Sequence, residues 1–271
     1  MNDLVLIARL IEALRPWLDD LVIVGGWAHQ LHRFHPRAKV PSHAALGTKD
    51  ADIALPGGSS LAGSIGNALK EAGFQEELSG EDVPPISQYR LGAEDSGFYA
   101  EFLIPLIGSG YRRDGSPDAT VGAVGVTAQK LRYLELLLID PWTIQLDPAQ
   151  ALPLSAPAEV CLPNPVSFIA QKLLIQKYRQ PNKKAQDVLY VHDTLELFGS
   201  ELEELRVQWS ERIRPSLPTK TAAAVAELAR AVVEITDPIR SAARIPQDRT
   251  LTPERILGML EYGFQGIFGA D

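Results

Sequence analysis

LVIVGGWAHQLHRFH, residues 21–35, and GTKDADIAL, residues 47–55, decide the fold. The first joins a short apolar run, Leu21 to Val24, to two glycines. Trp27, Leu31 and Phe34 then recur at helical spacing, which predicts a buried strand that turns at Gly25-Gly26 directly into a helix. The second stretch alternates Ala51, Ile53 and Leu55 with Asp50 and Asp52, the period of a strand buried on one side. Asp50 and Asp52 therefore leave that strand on one face. The strand–glycine–helix junction is either a plain tight turn or a place where bare backbone N–H groups meet an anion. Two carboxylates on one face repel each other, and a divalent cation between them relieves that cost.

A third acid stands in GFYAEFLIPL, residues 97–106, where the neighbours of Glu101 are apolar or aromatic. An unpaired charge in mid-strand is expensive. Glu101 either faces water on an edge strand, pairs with Arg90 across a hairpin, or completes a three-carboxylate metal cluster. The hairpin is predicted from ISQYRL and FYAEFLIPL flanking the turn-rich GAEDSG.

The chain has 271 residues, 45% hydrophobic and 22% charged, which reads as soluble and globular. No run approaches the roughly 20 apolar residues that span a bilayer, so no membrane partner is expected. The first residues carry Leu4, Ile7, Ile11, Leu14 and Leu18 at helical spacing and read as an amphipathic helix, not a signal peptide. Cys161 is the single cysteine, which excludes a disulfide framework and a thiolate zinc site and points to the cytoplasm. A net charge of −8 argues against non-specific coating of nucleic acid. Two windows, Leu21 to Lys49 and Val160 to Gln186, nevertheless lack any acid. They are either locally positive surfaces or ordinary solvated faces.

Strand and helix patterns mix up to about residue 150. In this half, GGSSLAGSIGNALKEAGF is expected to form a serine-capped helix ending near Gly73. Residues 131–147 read as strands broken at Asp140-Pro141, with a helix as the alternative for Leu131 to Ile139. A Pro/Ala-rich stretch, PAQALPLSAPAE, then leads into a helical second half whose first helix opens at Asn164-Pro165. The expected organisation is an α/β domain over 1–150 and an α-helical domain over 151–271. Lys172, Gln176 and Arg179 fall at i, i+4 and i+7, one helix face, either a phosphate-contacting stripe or a solvated basic face. His29 and His32, at i and i+3, have the spacing of a metal-ligand pair but no third ligand at fixed spacing, and lying opposite the Trp27/Leu31/Phe34 face they read rather as exposed polar residues. GSGYRRDGSPD, with Arg112 and Arg113, is a surface loop or a loop suited to an anionic acceptor.

An apolar strand, Gly-Gly, a helix, D-x-D on the next strand and a further acid on a later strand resemble the DNA polymerase beta-like nucleotidyltransferase superfamily. The resemblance covers about residues 20–105. The longer spacing from Gly26 to Asp50, and GTKDADIAL itself, look like the AbiEii-type abortive-infection toxin branch. FIAQKLLIQKYRQPNKKAQDVLYVHDTL is similar to that branch's second half. Lys172 takes the place of its helix lysine and Arg179 that of its arginine, while Lys183 and Asp187 fit the ends of its K-D-x-x-D segment. Lys184 stands where the segment's first aspartate belongs.

The resemblance implies a mixed-sheet nucleotidyltransferase core followed by a helical domain, and transfer of a nucleoside monophosphate from a nucleoside triphosphate such as ATP to an acceptor hydroxyl. It implies two Mg²⁺ ions on Asp50, Asp52 and Glu101. It further implies nucleotide contacts from Gly25, Gly26, Thr48, Lys172, Arg179, Lys184 and Asp187. The acceptor stays open among RNA (tRNA included), a protein and a small molecule. A toxin role would bring an antitoxin partner. The rival is a catalytically inactive nucleotide-binding or protein-interaction module on the same fold.

Overall fold

A computed structural model of the chain describes residues 3–57, 61–80, 82–92, 97–150 and 152–269. They form two compact units, Met1–Ala28 with Gly47–Leu162, and His29–Leu46 with Pro163–Asp271.

In the first unit the N-terminal stripe forms α1 (Asp3–Leu14), which buries Ile7, Ile11 and Leu14 as its spacing predicts. The three residues of β1 (Val22–Val24) are all buried and run straight into α2 (Gly25–Leu31). Next come β2 (Asp50–Ala54), α3 (Ile65–Glu71), β3 (Gln75–Ser79), β4 (Ile86–Leu91) and β5 (Phe98–Pro105). The unit closes with β6 (Thr120–Ala123), β7 (Val126–Leu131), α4 (Leu134–Leu137), β8 (Trp142–Leu146) and β9 (Ala158–Leu162).

Ser64 caps α3 by accepting from the Asn67 N–H, while Ser59 and Ser60 lie outside the described residues, as do residues 93–96 of the hairpin turn. The stretch after β7 holds one helical turn, α4, and the chain returns to strand at Trp142. This places both readings of residues 131–147 in sequence.

Among the described residues nine strands make one mixed sheet, in the order β3-β4-β5-β2-β1-β9-β8, with β7 beside the end of β5 and β6 beside β7. β2 runs antiparallel to β1 and parallel to β5. β9 pairs with β1, so the α/β unit continues to Leu162 rather than ending with the composition change near 150. Tyr89, Phe98 and Phe102 are almost wholly buried, with Tyr89–Phe102 and Trp27–Phe98 packed edge to face at 5.9 Å. Burial of each such ring contributes about 1.5–3 kcal/mol.

The second unit contains α5 (Pro165–Ile175), α6 (Pro181–Phe198), α7 (Leu202–Gln208), α8 (Arg214–Ser216), α9 (Thr219–Arg230), α10 (Asp237–Ala242) and α11 (Pro253–Phe268). A π turn, Trp209–Ile213, joins α7 to α8. Asn164 caps α5 as its sequence predicts, accepting from the Ser167 N–H at 2.8 Å, with Pro165 in the first turn. The long spacing between Gly26 and Asp50 has a structural use. Its residues 29–46 belong to the helical unit, where the Lys39 N–H donates to the Leu197 carbonyl and the Ala44 N–H to Asp248, each at 2.8 Å. No helix among the described residues is long and apolar enough to cross a membrane.

Candidate active site

The strand stops at Gly25 for a steric reason. Gly25 adopts φ +66°, a left-handed conformation that costs any residue with a Cβ. A Cβ at this position would also run into the Asp52 carboxylate, through its Oδ2. The glycine and the aspartate thus specify each other: a bare Cα lets an acid from the neighbouring strand lie against the β1–α2 junction.

Pairing of β2 with β5 sets Asp52 opposite Glu101 and Asp50 opposite Tyr99. Paired residues share a face, and so do residues two apart, so Asp50, Asp52 and Glu101 project from one side of the sheet. Ala51 and Ile53, on the other side, are fully buried. Asp50 is exposed, and Asp52 and Glu101 are half-buried.

Burial, and to a smaller extent the charge of Asp50, push the Glu101 carboxyl above its ordinary value, against a lowering hydrogen bond from Gln88. Gln88 lies opposite Glu101 on β4, and its Nε2 donates to Glu101 Oε1. The expected alternative partner is engaged elsewhere, since Arg90 pairs with Glu77. Oxygens of the three acids do not all come within 4.8 Å of one another. An all-oxygen donor set suits Mg²⁺, and a cation would relieve the disfavoured charge of Glu101. Beside this face, the Thr48 hydroxyl lies 3.5 Å from the Asp50 carbonyl.

A nucleotidyltransferase family model matches residues 2–214. The chain belongs to that family. The match takes in the whole α/β unit and the first helices of the second, so the carboxylate face and the basic segment both fall inside it. No curated protein matches the chain.

In this member of the family the basic segment differs from an open stripe. Lys172 is 4% exposed and donates to Asp187 Oδ1 at 2.6 Å. Arg179 Nε donates to Asp187 Oδ2 at 2.9 Å. α5 ends at Ile175 and the chain is extended at Arg179, so Arg179 reaches Asp187 from beyond the helix rather than along its face. Lys172, Arg179 and Asp187 therefore form one compact charge cluster. Lys184 is outside it; its carbonyl lies 3.4 Å from the Gln176 amide nitrogen.

The histidines overturn one expectation. His29 and His32 are fully buried, because Phe168, Tyr190 and Phe198 cover their side of α2. Burial pushes His29 down to about 3 and His32 to about 4, the latter against a hydrogen bond from its Nε2 to the Pro163 carbonyl at 2.8 Å. Arg112 is a loop pin, donating to the Val83 carbonyl at 2.8 Å and lying 3.6 Å from Asp118.

Two groups went unread in the sequence. Gln88 gave no signal beyond its place in the predicted hairpin. His43, Asp193 and Glu196 offer ligand atoms within 4.8 Å of one another in the second unit, and only the i, i+3 spacing of the two acids hinted at it.

Proposed function

We propose that the chain is a nucleotidyltransferase that moves a nucleoside monophosphate from a nucleoside triphosphate to an acceptor hydroxyl at the Asp50/Asp52/Glu101 face. One observation carries the reading: β2 and β5 pair in the register that sets Asp52 opposite Glu101, with Asp50 on the same side and Gly25 against Asp52. Asp50, Asp52 and Glu101 would hold Mg²⁺, two ions by family expectation. Bound there, Mg²⁺ neutralises phosphate charge and acidifies the acceptor hydroxyl.

The chain's own residues do the rest. Glu101, opposite Asp52 on the paired strand, would assist removal of the acceptor hydroxyl's proton. Gln88 fixes one oxygen of that carboxylate and leaves the other to work. The acceptor oxygen then attacks the α-phosphorus and pyrophosphate leaves. Gly25 and Gly26 present backbone without side chains where phosphate oxygens would approach. Thr48, Lys172, Arg179, Lys184 and Asp187 are the further nucleotide contacts proposed from the family resemblance, Lys172 and Arg179 through the cluster they form with Asp187.

The AbiEii-type toxin role and an antitoxin partner rest on the order of the sequence motifs alone, and so does a cytoplasmic location on the single cysteine. One observation favours the rival, a nucleotide-binding module without transfer: Lys172 is buried against Asp187, so its charge is already engaged. Incubation with each α-labelled triphosphate, Mg²⁺ and either total RNA or cell lysate separates the two. Label on an acceptor, lost in Asp50→Asn, supports transfer; triphosphate binding with no labelled product under any condition supports the module.

A further inference from the structure

The second unit holds a cluster that the proposed chemistry does not use. Asp193 and Glu196 lie one helical turn apart on α6, and His43 reaches them from the segment before β2. His43 Nε2 is 2.9 Å from Glu196 Oε2. One ligand atom from each of the three lies within 4.8 Å of the others, and a cation stands beside them. The Arg249 guanidinium donates to both oxygens of Asp193 at 2.6 and 2.7 Å, lies 3.5 Å from Glu196, and contacts the His43 ring. A second, independent feature points the same way. His29 is fully buried, its Nε2 has no hydrogen-bond partner among the described residues, and that nitrogen stands 3.9 Å from Asp193 Oδ2. His192 Nδ1 donates to Asp193 Oδ1 at 2.9 Å, orienting the carboxylate from behind as outer-shell groups do at metal centres.

We propose that His43, Asp193 and Glu196 form a transition-metal site of the zinc class, with the buried His29 beside Asp193 and Arg249 as a built-in competing cation. An imidazole with two carboxylates selects zinc-like ions over Mg²⁺, which prefers oxygen alone. Competition follows from charge. Asp193, Glu196 and the neighbouring Asp248 are balanced by Arg249, by Arg255 at 3.6 Å from Glu196, and by Arg33, whose guanidinium feels all three acids. A divalent ion entering beside Arg249 would exceed that balance, so metal binding requires the guanidinium to leave. The room exists: a pocket of about 260 Å³ opens beside the cluster, lined by Ser42, His43, Glu196, Asp248, Arg249 and Arg255, where Arg249 can turn to Asp248. Bound metal would lock residues 36–46 to α6 in place of the arginine. The site is separate from the Asp50/Asp52/Glu101 face and stands whether or not that face is catalytic.

The test is zinc titration of the full chain by calorimetry. Wild type should take up about one zinc per chain, His43→Ala and Glu196→Gln should weaken it at least about tenfold, and Arg249→Gln should tighten it about tenfold. Asp50→Asn/Asp52→Asn should bind zinc like wild type, which separates this site from the proposed active site. An Arg249→Gln affinity no tighter than wild type, or a His43→Ala affinity no weaker, overturns the proposal. Because loss of Arg249 leaves Asp193 unpaired and can unfold the unit, cobalt absorption on the wild-type chain supplies a reading without variants. Visible d–d bands of a four-coordinate nitrogen/oxygen site, displaced by zinc and not by Mg²⁺, are expected at millimolar cobalt; their absence also overturns it.

Discussion

Gly25→Ala strikes the point where backbone and chemistry meet. The substitution puts a Cβ on a residue held at φ +66°, which costs about 1–2 kcal/mol in backbone conformation alone. That Cβ also meets the Asp52 carboxylate, so either the β1–α2 turn opens or Asp52 moves. Relief by moving Asp52 lowers the stability cost and raises the catalytic one, since a displacement of about 1 Å at a reacting centre costs on the order of a hundredfold in rate. The melting temperature should fall by about 2–8 °C, and transfer of label from an α-labelled triphosphate should fall about a hundredfold or more. Gly57→Ala is the control. Its Cβ would meet nothing within 4 Å among the described residues and its φ is not in the left-handed region, so it should stay within about 0.5 kcal/mol of wild type. Equal melting curves and equal transfer for the two variants would refute the claim that Gly25 is set by Asp52.

Glu101→Gln should abolish transfer while leaving the metal-free chain as stable as wild type or more so. Its carboxyl is raised on folding, so its contribution to stability is fully present below the ordinary value of 4.5 and is lost as pH rises through the raised value. The stability gain of Glu101→Gln should therefore appear at neutral pH and vanish in acid, as read from melting curves across pH. His29 and His32 have the opposite sign: both are depressed on folding, so stability present above pH 6.5 is lost as pH falls toward about 4 and then about 3. The slope of unfolding free energy against pH in that window should flatten in His29→Gln and His32→Gln. Asp187→Ala leaves Lys172 buried without its counter-charge and should cost about 3–5 kcal/mol in denaturant unfolding. Lys172→Met should cost less, because Asp187 keeps Arg179.

The carboxylate face was legible because two periods coincide there. Alternation fixed Asp50 and Asp52 on one side, and the glycine pair marked a junction whose cause, Asp52 against Gly25, needed coordinates. The partner of Glu101 was not legible. A neutral glutamine carries no charge signal, and the choice of Gln88 over Arg90 depends on hairpin register and on Glu77 engaging the arginine. The histidines misled because a helical stripe identifies one apolar face and says nothing about aromatic cover on the other; Phe168 and Tyr190 arrive from more than a hundred residues downstream. The basic stripe failed for a similar reason. Lys172 and Asp187 are 15 residues apart on different helices, and spacing along one helix could not reveal that the lysine turns inward. The family was legible from motif order; the toxin branch rests on the Gly26–Asp50 spacing and the motifs alone, and no residue indicated the acceptor.

The most direct measurement is manganese binding, followed by electron paramagnetic resonance, in the presence of a non-hydrolysable triphosphate. Mn²⁺ replaces Mg²⁺ at oxygen sites and loses its free-ion signal when bound. Wild type should bind manganese beyond what the triphosphate alone takes up, and Asp50→Asn/Asp52→Asn should bind no more than the triphosphate without protein, while His43→Ala behaves as wild type. Manganese binding beyond that of the triphosphate that survives in Asp50→Asn/Asp52→Asn would contradict the assignment of the metal–nucleotide centre to this face.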